Sequence, residues 1–199
     1  MPALLIASTN PGKLQEFQAL LAGLPVDLLS PAELGPLLEV VESGKSYAEN
    51  AALKALAYAR HSGLLTLADD TGLEVEALEG GPGLFSQRFV PRPGATDADR
   101  RTYLLLQLRG HPRPWLASFR CVVALATPLE EVHLTEGACP GEIIPQERGE
   151  HGFGYDPIFM IPETGRTMAE LSLEEKNRVS HRARAVQAAL PVLHDLVKA

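Results

Sequence analysis

The sequence predicts an α/β fold built on a mixed sheet, and three observations carry that prediction. Apolar runs of strand length occur at residues 3–7, 64–68 and 116–126. Capped segments of helical period separate the earlier runs. After the third run, residues 131–138 and 142–145 follow as strands with no helix between them and read as its antiparallel neighbours. Strands and helices therefore do not simply alternate, which argues for a mixed sheet over a purely doubly wound one.

In chain order, residues 3–7 form a first buried strand. Ser8-Thr9-Asn10-Pro11-Gly12-Lys13 follows, with Asn10 suited to an N-cap and Pro11 to the first helical position. Leu14, Phe17, Leu20 and Leu21 recur at helical spacing, and Gly23 stops the helix. A strand thus runs into a hydroxyl-rich turn at a helix N-terminus, where free N–H groups favour anions. The spacing is not that of a P-loop. Residues 26–29 make a short strand, and residues 30–36 a turn or short helix. Ser46 with Glu49 makes a capping box for a helix over residues 47–60. On it, Asn50 and Lys54 share a face. Thr96 with Asp99 opens a helix ending near Gly110. Ser172 with Glu175 opens a last helix to about Ala189, on which Lys176 and Ser180 would share a face.

Size and composition narrow the function classes. The 199 residues, 45% hydrophobic and 22% charged, suffice for one domain, or one core with a lobe. A net charge of -7 argues against binding a nucleic-acid polymer but leaves room for a small anion held by a few local cations. Cys121 and Cys139 are far apart and lack metal-ligand spacing, so neither a disulfide framework nor a zinc site is expected. The expected compartment is the cytoplasm. Residues 1–7 lack the basic flank of a signal peptide, and no run approaches the ~18 apolar residues of a membrane span.

The stretch of greatest chemical interest is Leu67-Ala68-Asp69-Asp70-Thr71-Gly72-Leu73. A buried strand delivers two adjacent carboxylates and a hydroxyl to a Gly turn, after which Leu73, Val75 and Ala77 alternate with Glu74 and Glu76 as a half-exposed strand. Buried carboxylates are costly unless paired, hydrogen-bonded or metal-bound. The pair therefore stands either in solvent at a turn or on a cation. Further on, Gly152-Phe153-Gly154-Tyr155-Asp156-Pro157 places two aromatics between glycines and closes on an Asp. Such a loop serves either as a platform for a flat ligand or as a turn with core anchors.

Five motifs in order carry a family resemblance. They are Ser8-Thr9-Asn10-Pro11-Gly12-Lys13 with Glu16, Ser46-Tyr47-Ala48-Glu49-Asn50-Ala51 with Lys54, Ala68-Asp69-Asp70-Thr71-Gly72-Leu73, Phe153-Gly154-Tyr155-Asp156-Pro157-Ile158-Phe159, and Lys176 with Ser180-His181-Arg182. The chain resembles the inosine triphosphate pyrophosphatase family over nearly its whole length. The resemblance implies an elongated mixed β-sheet flanked by helices, with two lobes and the nucleotide cleft between them. It implies a single such domain over residues 1–199, a homodimer, a Mg²⁺ requirement, and hydrolysis of ITP, dITP or XTP to the monophosphate and pyrophosphate. Such an activity clears deaminated purines from the nucleotide pool.

It also implies roles for particular residues. Asp70 would bind Mg²⁺ and act as the base for water, with Glu42 as a second acidic metal contributor. Lys13, Lys54 and Lys176 would neutralise the triphosphate, with Ser8, Thr9, Asn10 and Thr71 as hydroxyl and amide donors. Phe153, followed by Gly154, would stack on the base, Tyr155 and Asp156 would shape its pocket, and His181 and Arg182 would read the purine edge. Ser8 stands where the family often has Thr, which keeps the hydroxyl. Asp69 is expected only in a supporting role, such as an outer contact to the metal. Two other readings compete. An aspartyl-phosphate hydrolase would form a covalent intermediate on an Asp, and a regulatory module would bind nucleotide without turnover.

Overall fold

The computed structural model describes residues 1–36 and 38–198. Its elements are β1 (Ala3–Ile6), α1 (Pro11–Leu20), β2 (Asp27–Leu29), α2 (Tyr47–Ser62), β3 (Leu65–Val75), β4 (Pro82–Gly83), α3 (Asp97–Leu108), β5 (Trp115–Ala126), β6 (Val132–Ile143), β7 (Phe159–Ile161), β8 (Arg166–Thr167), α4 (Leu173–Val179) and α5 (His181–Lys198). The strands form one open sheet in the order β2-β1-β3-β5-β6-β7-β8, with β4 paired to β3. β1 runs parallel to β2 and β3, whereas β4 is antiparallel to β3, and β6, β7 and β8 pair antiparallel in turn. The sheet is therefore mixed, as the lack of simple alternation predicts.

The chain makes two compact units. The first comprises Met1–Asp70, Cys121–Gly137 and the chain from His181 onward; the second comprises Thr71–Arg120 and Ala138–Ser180. In the first unit successive strand residues enter different cores. Leu4, Ile6, Leu67, Cys121, Val123 and Leu125 join Phe17 and Leu21 of α1 and Ala185, Val186, Ala189 and Leu193 of α5. Leu5, Ala7, Ala68, Val122, Ala124 and Ala126 join Ala51, Ala55, Tyr58 and Ala59 of α2. Strand side chains alternate between faces, so both faces are covered and the strands read as unbroken apolar runs. In the second unit one core gathers Leu73, Val75, Trp115, Ala117, Phe119, Cys139 and Ile143 with Leu104 and Leu108 of α3. Glu74 and Arg120, paired at 2.9 Å, come from intervening strand positions. β5 records the change along one strand: burial alternates up to Arg120 and is continuous from Cys121.

The expected caps form. Asn10 accepts from the Lys13 N–H at 3.2 Å, Ser46 from the Glu49 N–H at 3.1 Å, Thr96 from the Asp99 N–H at 3.2 Å and Ser172 from the Glu175 N–H at 3.2 Å. Three expectations fail. No turn separates two strands at Asp69–Gly72, because β3 runs through all four residues. The Asp69 carboxylate finds cationic partners inside the protein, so the chain has no need to carry it into solvent. The segments 131–138 and 142–145 are not separate strands, since β6 spans Val132–Ile143. The last helix is two. Ser180 adopts an extended conformation (φ -69, ψ 157) between α4 and α5, so Lys176 and Ser180 do not share a helix face, and α5 continues through Pro191 to Lys198.

Gly137, on β6, marks where the first turn of α5 meets the strand. A Cβ there would stand 2.2 Å from the His181 carbonyl oxygen and 2.5 Å from the Ala185 nitrogen, both rigid backbone atoms. Gly137→Ala is expected to destabilise the protein by about 1–3 kcal/mol through overpacking. A lowered denaturant midpoint at unchanged slope checks this; an unchanged midpoint would show that the helix shifts freely.

Candidate functional site

The expected site residues fall into a polar cluster in each unit. In the first, β1 ends at Ile6 and the turn of residues 7–10 leads into α1. Ser8 Oγ accepts from the Asn10 N–H at 3.3 Å, which shapes the turn. Thr9 is exposed, and Ser8 and Asn10 are half-buried. One turn into α1, Lys13 reaches Asp69 Oδ2 at 2.8 Å. Glu16 follows three residues later on α1 and is buried.

Asp69 is the hub of this cluster. It is 1% exposed. Its Oδ2 also accepts from Arg182 Nη2 at 3.2 Å, and Arg182 Nη1 donates to Glu16. Burial alone would raise the Asp69 pKa, but Lys13, Arg182 and Lys54 outweigh it and hold the carboxyl far below the usual range. Burial likewise disfavours charge on Arg182, yet Glu16 and Asp69 keep it firmly protonated. Arg182 is thus paired with two carboxylates at 0% exposure. His181, one residue earlier, is also buried, in contrast to the solvated face usual for such a pair.

Asp70, the next residue, points the other way along the strand and meets a different set. Asn50 Nδ2 donates to Asp70 Oδ2 at 3.0 Å. Lys54, one turn along the same face of α2, donates to the Asp69 carbonyl oxygen at 2.9 Å and pairs with Glu42 at 2.6 Å. Glu42 is brought there by the segment before α2. The Gly44 N–H donates to Asn50 Oδ1 at 2.8 Å, and a Cβ on Gly44 would stand 2.7 Å from that same oxygen, so the close approach requires glycine. Burial raises the Asp70 pKa, and Glu42 pushes it further up against the opposing effects of Asn50, Lys13 and Lys54. Burial pulls Lys54 down, but Asp69, Glu42 and Asp70 together raise it above its ordinary value. Glu42 and Asp70 are therefore two neighbouring carboxylates of like charge beside a protonated lysine. Among the described residues no group of three or more His, Cys, Asp or Glu is assembled to hold a metal. Two carboxylates do suit Mg²⁺, which keeps several waters and takes its other ligands from phosphates.

In the second unit, Phe153-Gly154 is held by polar side chains. Asp156 Oδ2 accepts from the Phe153 N–H at 2.9 Å and from Lys176 Nζ at 2.5 Å. Lys176 Nζ lies 4.9 Å from the Phe153 ring centroid. Asp97 and Arg101 of α3 bind the Gly154 N–H and carbonyl. Tyr155 is a core anchor: its hydroxyl donates to the Ser86 carbonyl at 2.8 Å, and burial raises its pKa. Thr71 is half-buried on β3. Sequence reasoning gave no role to Glu16, Asn50, Asp97 or Arg101. For Asn50 the signal was available in its shared face with Lys54. For Asp97 and Arg101 nothing in the sequence links α3 to the aromatic loop.

Because the folded-state pKa of Asp69 is depressed, its ion pairs stabilise the fold above the unfolded carboxyl value of about 3.9, and that contribution is lost as pH falls below it. The stability gap between the native chain and Asp69→Asn, measured by denaturant unfolding, should therefore be widest above about pH 5 and shrink toward pH 3. A gap independent of pH would mean that Asp69 is not held ionised by these partners.

Known proteins resemble this chain over nearly its whole length. The family model described as Ham1 family matches residues 4–192. A dITP/XTP pyrophosphatase of Desulfotalea psychrophila is 46% identical over 186 residues, covering 94% of this chain and 82% of that protein. One from Desulforamulus reducens is 44% identical over 194 residues, covering 97% and 96%. Among solved structures, a HAM1 protein from Coxiella burnetii superposes with a TM-score of 0.86 at 40% identity, covering 98% of this chain and all of that one. The Staphylococcus aureus Ham1 protein gives 0.84 at 37% identity, covering 97% and 98%. With five sequence motifs, the fold and these relatives in agreement, the chain belongs to the Ham1 family.

Proposed function

We propose that this chain hydrolyses non-standard purine nucleoside triphosphates (dITP, XTP and ITP) at the α-phosphorus, giving the monophosphate and pyrophosphate. The observation that carries the reading is the division of labour between adjacent acids on β3. Asp69 is bound up with Lys13 and Arg182, while Asp70 lies beside Glu42 with a raised pKa.

Pyrophosphate leaves with developing negative charge, which must be stabilised electrostatically. Lys13 and Lys54 supply cations whose positions are set by Asp69 and Glu42. An ammonium has three N–H donors, so pairing orients each lysine and leaves donors for phosphate oxygens. Ser8, Thr9, Asn10 and Thr71 add neutral donors, and the N-terminus of α1 adds backbone N–H groups. Glu42 and Asp70 would hold Mg²⁺, which when bound supplies positive charge to the phosphate oxygens and to the attacking water. Asp70, kept ionised by the cation beside it, is the carboxylate that would accept the water proton. Asp69, 1% exposed, is not placed for nucleophilic attack, which speaks against an aspartyl-phosphate route.

Phe153 stacks on the purine, with Gly154 completing the loop, Lys176 and Asp156 bracing it and Tyr155 anchoring it from the core. His181 and Arg182 read the O6 edge, where a donor suits oxygen and opposes the amino group of adenine. For Arg182 this requires sharing donors with Glu16 and Asp69. The resemblance to the inosine triphosphate pyrophosphatases supports a homodimer. The free cysteines Cys121 and Cys139 support a reducing compartment such as the cytoplasm. Among the described residues no helix is long and apolar enough to cross a membrane.

Incubation with dITP, XTP, ITP and ATP in Mg²⁺, followed by chromatography, tests this reading. Equimolar monophosphate and pyrophosphate are expected from the first three, with ATP slower by about 100-fold or more. Orthophosphate as the first product, or binding without turnover, would overturn the reading. Asp70→Asn should fold normally and lose about 10²–10⁴ in kcat.

A further inference from the structure

The Phe153-Gly154 loop has no ladder of its own, yet side chains fix it at three backbone groups. Asp156 accepts from the Phe153 N–H at 2.9 Å. Asp97 Oδ2 accepts from the Gly154 N–H at 2.8 Å, and Arg101 Nη1 donates to the Gly154 carbonyl at 2.9 Å. The last two side chains lie one turn apart on α3 and grip the same residue from its donor and its acceptor side. Both are themselves held. Arg101 makes a two-pronged pair with Glu147, at 2.9 Å for each nitrogen. Asp97 Oδ1 accepts from Arg100, whose buried guanidinium also donates to the Gln87 and Ala95 carbonyls at 3.1 and 2.8 Å. Gly154 has φ +61, which glycine adopts as readily as other conformations, so outside contacts are what keep the loop in one shape.

We propose that Asp97 and Arg101 are positioning residues for purine recognition: through Gly154 they hold the Phe153 ring in its base-stacking pose. This rests on the reading of Phe153 as the stacking platform. A ring fixed before the ligand arrives loses less freedom on binding, so the clamp should act on affinity for the base and leave the phosphate-binding and hydrolytic groups alone. Neither residue touches substrate in this account.

The test uses steady-state kinetics on the full chain with dITP, alongside inhibition by inorganic tripolyphosphate, which has the phosphates and no base. Asp97→Ala and Arg101→Ala should each raise KM for dITP by about 10-fold, with kcat within about 2-fold and the tripolyphosphate Ki unchanged. Asp97→Asn, which keeps an acceptor for the Gly154 N–H, should restore most of the affinity. In a Phe153→Ala background, Asp97→Ala should have little further effect, because both act through one ring. An Asp97→Ala KM equal to that of the native chain, beside a raised KM for Phe153→Ala, would overturn the clamp and spare the stacking reading. An unchanged KM for Phe153→Ala itself would overturn both. A tripolyphosphate Ki that rises with the KM would mean general structural damage, and would also overturn the clamp.

Discussion

Arg182 is a fully buried cation, and such a group persists in a protein interior only when its charge and donors are met. Glu16 meets one end of the guanidinium and Asp69 the other. Asp69 then turns what remains of its charge on Lys13. The four groups are neutral as a set, and they join residues from α1, β3 and α5. The arrangement explains why an acid can stand inside a long strand, and why Lys13 has a fixed place at the start of a helix. Burying these charges does not by itself imply a more stable protein, since an apolar replacement can be as stable. Its consequence is geometric: a lysine held in one position beside a carboxylate pair.

That pair is the counterpart of the locked network. Consecutive residues on a strand face opposite ways, so Asp69 and Asp70 meet different surroundings although they share a peptide bond. One is held ionised by cations; the other is pushed toward its neutral form by burial and by Glu42. Divergent environments for neighbouring acids are how one site assigns different tasks to the same side chain. In the second unit the working parts are held differently. There the sheet has one covered face, and the aromatic loop is fixed by hydrogen bonds to Asp97 and Arg101 of α3 and to Asp156, while Lys176 donates to Asp156 and lies over the Phe153 ring.

Much of this was legible in the sequence. Helix starts were, because a cap is a local signal: Asn10, Ser46, Thr96 and Ser172 all cap as their spacing indicates. The mixed sheet was legible from the run of strands after residue 116. The Gly72 turn was misjudged because Asp and Gly favour turns locally, whereas the partners that hold β3 straight lie 56 and 113 residues away from Asp69, at Lys13 and Arg182. Lys176 and Ser180 were misjudged for a related reason, since the break at Ser180 has no Gly or Pro to mark it. The burial of Arg182 was not legible, because burial of a charged side chain depends on a partner that sequence spacing does not reveal. Glu16 is that partner, and it looks like any helix-surface acid.

We propose that Asp70, and not Asp69, is the metal-facing acid, with Asp69 anchoring Lys13. The most direct measurement is the Mg²⁺ dependence of binding an α,β-imido analogue of dITP, read by calorimetry so that inactive variants are measurable. Asp70→Asn should raise the Mg²⁺ concentration needed for half-maximal binding. Asp69→Asn should weaken nucleotide binding and leave that concentration unchanged. A Mg²⁺ requirement that shifts in Asp69→Asn and stays native in Asp70→Asn would contradict the account.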